Sequence, residues 1–287
     1  MKYKASSLPM YLLKIIRDKG TEYPFTGQYE TLDGAGTYLC RQCGQALFRS
    51  ETKFFSSCGW PSFDQEIDGR ILRETDADGQ RTEIVCSRCA AHLGHVFVGE
   101  KFTIMNTRHC VNSASLDFVD NLHVDDTEEA ILAAGCFWGV EYYFKKLPGV
   151  LKVESGYIGG NKENPTYQEV CEGSTGYLEA VRVLYNPAKV SYEQVLKYFF
   201  EIHDPTQKDG QGPDIGEQYL SACFYYDNQQ KHIAQLLIKE LKQKGYAVAT
   251  KVLPVSPFWP AESLHQDYYQ KTKKQPYCHS YTKRFAD

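Results

Sequence analysis

Apolar residues follow two different rhythms along this chain, and the change between them falls near its middle. From about residue 20 to residue 118 the apolar runs are short: Thr37-Tyr38-Leu39, Ile71-Leu72, Thr82-Glu83-Ile84-Val85 and Phe102-Thr103-Ile104-Met105. Asp33-Gly34, Asp68-Gly69 and Asp78-Gly79 separate such runs, so the pattern predicts strands joined by turns. Ahead of them, Lys14 and Arg17 interrupt the apolar positions of residues 1–20. That predicts an amphipathic helix rather than a secretory signal. After Phe118 the chain turns polar and acidic through residues 119–129. We read a linker there, bounded at residues 121–128.

The second half alternates. Ile131-Leu132-Ala133-Ala134 is a short apolar run, and Val140-Glu141-Tyr142-Tyr143-Phe144 reads as the first turns of a helix. Ser191 caps a helix whose apolar face holds Val195, Tyr198, Phe199 and Ile202. Asp227 opens a longer helix carrying Ile233, Leu236, Leu237 and Leu241, and Gly245 ends it. Residues 246–252 then read as a strand. Strands and helices interleaved in this way predict an α/β or α+β layer domain.

A chain of 287 residues suits two domains of ordinary size. Its net charge of −4 comes from 32 basic and 36 acidic residues without long basic tracts. This speaks against nucleic acid or an anionic membrane as the main partner. No apolar run approaches the length needed to span a bilayer, so a cytoplasmic location is expected.

Ten cysteines are present, and their spacing divides them. Cys40 and Cys43 form one Cys-x-x-Cys pair, and Cys86 and Cys89 another. Each pair can form a knuckle that aims two thiolates at one ion, and two knuckles complete a tetrahedral shell with no open position. A thioredoxin-like redox dithiol is the competing reading. Duplication of the pair favours a structural metal, zinc. Cys136 stands apart from these, inside Gly135-Cys136-Phe137-Trp138-Gly139 at a strand-to-helix junction. The start of a helix favours a thiolate there, while the glycines free the backbone and the aromatics offer an apolar wall. A core cysteine between aromatics is the plainer alternative; the glycine bracket weighs against it.

Gly-Cys-Phe-Trp-Gly resembles the signature of the A-type peptide methionine sulfoxide reductases. The similarity continues through Gly156-Tyr157, Asn164-Pro165-Thr166-Tyr167, Glu179-Ala180-Val181, His203-Asp204-Pro205-Thr206-Gln207 and Gly212-Pro213-Asp214-Ile215-Gly216-Glu217-Gln218-Tyr219. The first half resembles the B-type methionine sulfoxide reductases. It does so in Pro24-Phe25-Thr26-Gly27, the two Cys-x-x-Cys pairs, Cys58-Gly59-Trp60-Pro61-Ser62-Phe63, His92-Leu93-Gly94-His95-Val96-Phe97 and Arg108-His109-Cys110-Val111-Asn112-Ser113. The resemblance implies a natural fusion. Residues 1–120 would form a mainly-β, zinc-containing domain of antiparallel sheets. Residues 129–287 would form a two-layer α/β domain with a ferredoxin-like core and a C-terminal resolving tail, so the whole is an α+β two-domain protein.

By that resemblance the chain reduces oxidised methionine in proteins and peptides, the R epimer in its first half and the S epimer in its second. Cys110 is the first nucleophile and Cys58 its resolving thiol, with His95 as proton donor and His92 assisting. Arg108 favours the thiolate, Asn112 hydrogen-bonds in the site and Trp60 holds the substrate methyl group. In the second half Cys136 is the nucleophile and Glu179 the proton donor, its pKa raised by burial. Phe137 and Trp138 cradle the methyl group, Tyr167 and Tyr219 bond the oxygen, Asp214 supports the pocket, and Cys278 on a mobile tail resolves. Thioredoxin or a similar dithiol is the implied reductant. Zinc at Cys40, Cys43, Cys86 and Cys89 is the implied metal, with no bound organic cofactor.

Four positions depart from the family patterns: Ser57 stands for glycine, His109 for an aromatic residue, Tyr177 for histidine and Leu220 for arginine. Cys171 and Cys223 have no implied role, and both are expected to be buried and structural.

Overall fold

The computed structural model describes residues 5–285. Residues 1–4 of the expected N-terminal helix lie outside the described residues; within them the helix is α1, Met10–Ile16. Contacts divide the chain into two compact units, Met1–Thr127 and Glu128–Asp287.

The first unit is sheet-rich. Its strands are β1 Thr37–Cys40, β2 Ala46–Arg49, β3 Lys53–Phe54, β4 Ser62–Phe63, β5 Ile71–Thr75, β6 Thr82–Cys86, β7 His92–Val98, β8 Thr107–Val111 and β9 Leu116–Val119. They form a three-stranded sheet in the order β2-β1-β9 and a six-stranded sheet in the order β3-β4-β8-β7-β6-β5. Every pairing is antiparallel. Tyr38, Phe48 and Phe63 are fully buried between them, the last two stacked at 4.2 Å. Leu12 and Ile16 of α1 join this core.

Two expectations for this half need correction, and the stretch between the halves is better placed. Phe102-Thr103-Ile104-Met105 is not a strand but the loop from β7 to β8, and Ile104 is wholly exposed. Lys101 and Asn106 close that loop with φ of +60° and +51° and bond each other, Lys101 N–H to Asn106 Oδ1. Asp33-Gly34 lies in an irregular segment, whereas the other two Asp-Gly pairs do turn. The expected linker is packed: Val124 and Thr127 are buried, Ala46 N–H donates to Asp125 O, and Arg49 donates to Val124 O.

The second unit contains β10 Glu128–Ala134, α2 Phe137–Phe144, β11 Val150–Ile158, α3 Tyr167–Cys171, β12 Leu178–Tyr185 and α4 Tyr192–Ile202. These are followed by β13 Gly210–Gln211, β14 Asp214–Ile215, β15 Ser221–Tyr225, α5 Asn228–Gln243, β16 Lys251–Pro254, β17 Trp259–Pro260 and α6 Tyr268–Thr272. One mixed sheet runs β16-β15-β10-β12-β11-β17, parallel only between β15 and β16. β10 is buried on both faces, Ala130, Leu132 and Ala134 in one cluster and Ile131 and Ala133 in the other, which is why its residues read as a continuous apolar run.

The caps read from the sequence are present. Ser191 accepts from Gln194 N–H while the Gln194 side chain returns to Ser191 N–H, and Asp227 accepts from Gln230 N–H. Val195, Phe199 and Ile202 are fully buried, but Leu236 lies half exposed, outside the buried stripe of α5. The strand expected over residues 246–252 begins only at Lys251, because Ala249 N–H bonds Pro205 O in a loop rather than a neighbouring strand. No helix among the described residues is long and apolar enough to cross a membrane.

Candidate functional site

In the first unit, β8 carries Cys110 with His95 of β7 opposite on one side and Ser62 of β4 opposite on the other. Residues directly opposite in a ladder share a face. Strict alternation would put His92 and His95 on opposite faces. Instead β7 takes an extra residue between His92 and Gly94 against consecutive Val85 and Ile84 of β6, and such a bulge resets the parity. The two imidazoles consequently meet, ring centroids 5.7 Å apart. Gly94 permits the close approach, since a Cβ there would lie 2.0 Å from Cys110 O.

The Sγ atoms of Cys58 and Cys110 are 3.7 Å apart. Ser56 Oγ donates to Cys58 Sγ at 3.0 Å, and Ser62 Oγ lies 3.6 Å away. The Cys110 thiol, then these hydroxyls, pull the Cys58 thiol down to about 4 against its burial. Cys58 and burial push Cys110 up, and Arg108 opposes them only weakly. The thiolate is thus favoured at Cys58 over Cys110, while Arg108 lowers Cys110 in the direction expected of it. The Arg108 guanidinium is held by Glu100, Nε to Oε2 at 2.7 Å and Nη2 to Oε1 at 2.9 Å, above the Phe97 ring.

The other expected residues fall around this pair. His95 Nε2 meets Asp76 Oδ2 at 2.6 Å, and His92 Nδ1 meets Glu83 Oε1 at 2.7 Å. Burial lowers the His92 pKa and leaves its Nε2 without a hydrogen-bond partner. Trp60 Nε1–H donates to Glu22 O, and Glu22 N–H donates to Asn112 Oδ1. Trp60 and Asn112 thus fasten residue 22 to the Cys58 loop and β8. His109 points to the opposite face, where Nδ1–H donates to Phe63 O and Nε2 lies 2.5 Å from Glu66. Its departure from the family pattern leaves the Cys110 face untouched. Ser57 does carry a cost: its φ is +55°, a conformation that suits glycine.

The two Cys-x-x-Cys knuckles close alike, Gly44 N–H to Cys40 O and Ala90 N–H to Cys86 O. Cys40 and Cys89 Sγ are 3.6 Å apart, as are Cys43 and Cys86 Sγ, and all four lie within 4.8 Å of one another. A tetrahedral shell with metal–sulfur bonds of about 2.3 Å has edges of about 3.8 Å, so the four thiols fit one such ion.

In the second unit, Gly135 turns the chain at φ +89° and Cys136 is the N-cap of α2. The Cys136 and Cys278 Sγ atoms and an Asp214 carboxylate oxygen lie within 4.8 Å of one another. Cys278 is buried, and its segment is packed rather than free. Glu201 accepts Thr282 N–H at its carbonyl and Tyr281 Oη, Arg284 N–H and Phe285 N–H at its carboxylate. The Cys136 thiol draws Cys278 down to about 6, with His279 also lowering it. Cys278, burial and Glu179 push Cys136 up, outweighing the helix-start N–H of Trp138.

Glu179 is almost fully buried and its pKa is raised to about 8 by desolvation, despite the Phe137 N–H donated to Oε2 at 3.0 Å. Phe137 is in the core, tilted against Tyr157 and stacked with Tyr167. Trp138 is half buried, stacked on Tyr268 at 3.7 Å, and donates Nε1–H to His265 Nδ1. Burial raises both Tyr167 and Tyr219, with the Glu179 charge adding to each. Tyr277 Oη donates to Asp214 Oδ1. Tyr177 turns aside to Lys162 O, and nothing in the structure explains Leu220. Cys223 is buried as expected, but Cys171 is exposed at the end of α3.

Sequence reasoning did not single out Glu100, Asp76, Glu83, Glu22, His265 or His279. Glu22 and His265 reach their partners across the fold, Asp76, Glu83 and Glu100 meet theirs between nearby strands and loops, and His279 follows Cys278 directly; no local motif marks any of them.

The family model described as peptide methionine sulfoxide reductase matches residues 128–287, and the SelR domain model matches residues 8–120. Peptide methionine sulfoxide reductase MsrA of Thermus thermophilus is 49% identical over 152 residues, covering 53% of this chain and 86% of that protein. The protein of the same name from Nautilia profundicola is 47% identical over 150 residues, covering 52% and 87%. The crystal structure of Mxr1 from Saccharomyces cerevisiae in reduced form matches with a TM-score of 0.51 and 32% identity, over 54% of this chain and 92% of that one. With two thiol pairs built into two units, the chain belongs to the peptide methionine sulfoxide reductase family and carries a SelR domain, the B-type reductase, ahead of its A-type domain.

Proposed function

We propose that residues 1–120 reduce the R epimer of peptide methionine sulfoxide and residues 129–287 the S epimer, with residues 121–128 joining them. Reduction needs a soft nucleophile for sulfur and a proton for oxygen. In the second unit Cys136 attacks the sulfoxide sulfur and Glu179 protonates the oxygen, for which its raised pKa suits it. Tyr167 and Tyr219 hydrogen-bond that oxygen, Phe137 and Trp138 hold the methyl group, and Asp214 supports the pocket. Methionine leaves and the oxygen remains on Cys136 as a sulfenic acid. Cys278 then forms a disulfide with Cys136 and water departs. In the first unit Cys110 attacks, His95 supplies the proton with His92 assisting, and Cys58 resolves. Arg108 lends positive charge, Asn112 positions the segment it bonds, and Trp60 packs against the methyl group.

Thioredoxin or a similar dithiol reopens both disulfides by exchange. A zinc ion held by Cys40, Cys43, Cys86 and Cys89 would tie β1 to β6 and supply folding energy. The order β15-β10-β12-β11, with α2 and α4 as crossovers, supports a ferredoxin-like core. Thiols that must be returned to the reduced state after each turnover suit a reducing compartment, the cytoplasm.

The observation that carries this reading is a close pair of thiols within each unit, 3.7 Å apart in the first and within 4.8 Å in the second, with a carboxyl of pKa about 8 beside the second pair. The test is turnover of peptide R- and S-sulfoxides separately, with thioredoxin, thioredoxin reductase and NADPH. Both epimers should consume NADPH, Cys110→Ser abolishing only R reduction and Cys136→Ser only S reduction. Loss of both activities on either substitution would overturn the assignment of one epimer to each unit.

A further inference from the structure

His279 follows the resolving cysteine directly, and its two ring nitrogens have different partners. Nε2 lies 2.6 Å from the Ala134 carbonyl, two residues before Cys136. A carbonyl oxygen can only accept, so Nε2 carries a hydrogen. In the neutral ring Nδ1 then holds a lone pair, and Nδ1 lies 3.1 Å from Cys278 Sγ. The imidazole is buried. The second glycine of the Gly-Cys-Phe-Trp-Gly motif makes the room, since a Cβ on Gly139 would lie 2.2 Å from His279 Nδ1.

We propose that His279 is a catalytic residue of the resolving step, the general base that takes the Cys278 proton as Cys278 attacks the sulfenic acid on Cys136. The inference rests on the reading of Cys278 as resolver. The proton passes from Cys278 Sγ to His279 Nδ1 while the sulfur's electron pair forms the bond to Cys136 Sγ. The S–O bond of the sulfenic acid breaks, and the departing hydroxide takes the proton back and leaves as water. The Cys278 sulfur is oxidised and the sulfenic sulfur of Cys136 is reduced as they meet in the disulfide, so no outside oxidant is needed.

In the resting enzyme the Cys136 thiol is the first cause of the lowered Cys278 pKa and His279 is a further one. Once Cys136 has become a sulfenic acid, that thiol is gone and His279 remains. The other groups around the sulfur are Asp214, Glu179, Tyr269 and Tyr277. Behind the imidazole, His203, Asp204 and Arg284 line a cavity of about 300 Å³. None of these offers Cys278 a ring nitrogen at hydrogen-bonding distance.

The experiment uses the full chain and rapid-quench mixing with a peptide S-sulfoxide, counting methionine released and thiols lost. His279→Gln is the informative variant, because a glutamine amide can still donate to Ala134 O while offering no base to Cys278. It should release its first methionine at the wild-type rate, then form the disulfide about 100-fold more slowly at neutral pH. That deficit should shrink as pH rises past about 8.5, where the thiol ionises unaided; a packing defect would not recover in this way. His279→Asn serves if His279→Gln does not fold. Wild-type disulfide formation at neutral pH in either variant, with Cys278→Ser blocked, would overturn the role of His279 alone. Undiminished thioredoxin-coupled turnover in Cys278→Ser would instead remove Cys278 as resolver.

Discussion

Cys58 Sγ stands 3.7 Å from Cys110 Sγ, near contact distance, with the negative charge drawn to Cys58. Closing that gap needs little backbone movement, so the sulfenic acid on Cys110 meets its resolving thiol already in place. Cys58→Ser should reduce one equivalent of R-sulfoxide per chain and then stall with thioredoxin. Cys110→Ser should produce no methionine from it at all. A quench-flow burst followed by steady-state NADPH consumption separates the two.

Glu179 should give the S-epimer reaction an alkaline limb. Its carboxyl must hold a proton in order to donate one, and burial raises its pKa to about 8. The protonated fraction is full well below that value and is lost as pH rises through it. S-epimer kcat/KM should fall above about pH 8, and Glu179→Gln should lower it about 100-fold or more and flatten the limb. Profiles of single-turnover methionine release, recorded for both proteins, test this.

Ser57 pays for its left-handed conformation. With φ of +55°, its Cβ is strained by about 1 kcal/mol relative to glycine. Ser57→Gly should shift the urea midpoint of the first unit upward by an amount of that order. Ser57→Ala, which keeps the Cβ, should not.

Gly94 lets β7 press against β8. A methyl group placed 2.0 Å from Cys110 O would force the strands apart and disturb the bulge that brings His92 to His95. Gly94→Ala should cost R-epimer reduction about 100-fold, the scale of an ångström's misplacement, and leave S-epimer reduction intact. Separate assays of the two epimers, with metal content measured alongside, decide it.

The four-sulfur cluster should hold about one zinc per chain. Cys86→Ser, or a strong chelator, should lower the first unit's unfolding midpoint and abolish R-epimer activity while S-epimer activity persists. Zinc content by atomic absorption, against activity with each epimer, checks it.

The sequence by itself determined whatever chemistry demands of neighbouring residues. A knuckle needs its two thiols three positions apart, so Cys40, Cys43, Cys86 and Cys89 were legible as a single cluster before the sheets brought them to 3.6 Å. A helix start needs a cap and a turn, so Cys136, Ser191 and Asp227 could be placed from local pattern. Apolar rhythm separated a sheet-rich half from an alternating one.

Only the tertiary structure decided which groups answer those residues. Alternation misplaces His92 against His95 because a bulge changes parity, and no local propensity encodes a bulge. It could not show that the apolar run at residues 102–105 tips a loop, since left-handed residues at its ends decide that. Glu22 on Trp60, Glu201 on the C-terminal segment and Ala134 on His279 are contacts across the fold. The thiol pKa values follow from neighbours of the same kind: Cys110 and two hydroxyls lower Cys58, Cys136 and His279 lower Cys278, and the partner thiols with burial raise Cys110 and Cys136. A pKa is set by everything within a few ångströms of an atom, and sequence order says little about what those neighbours are.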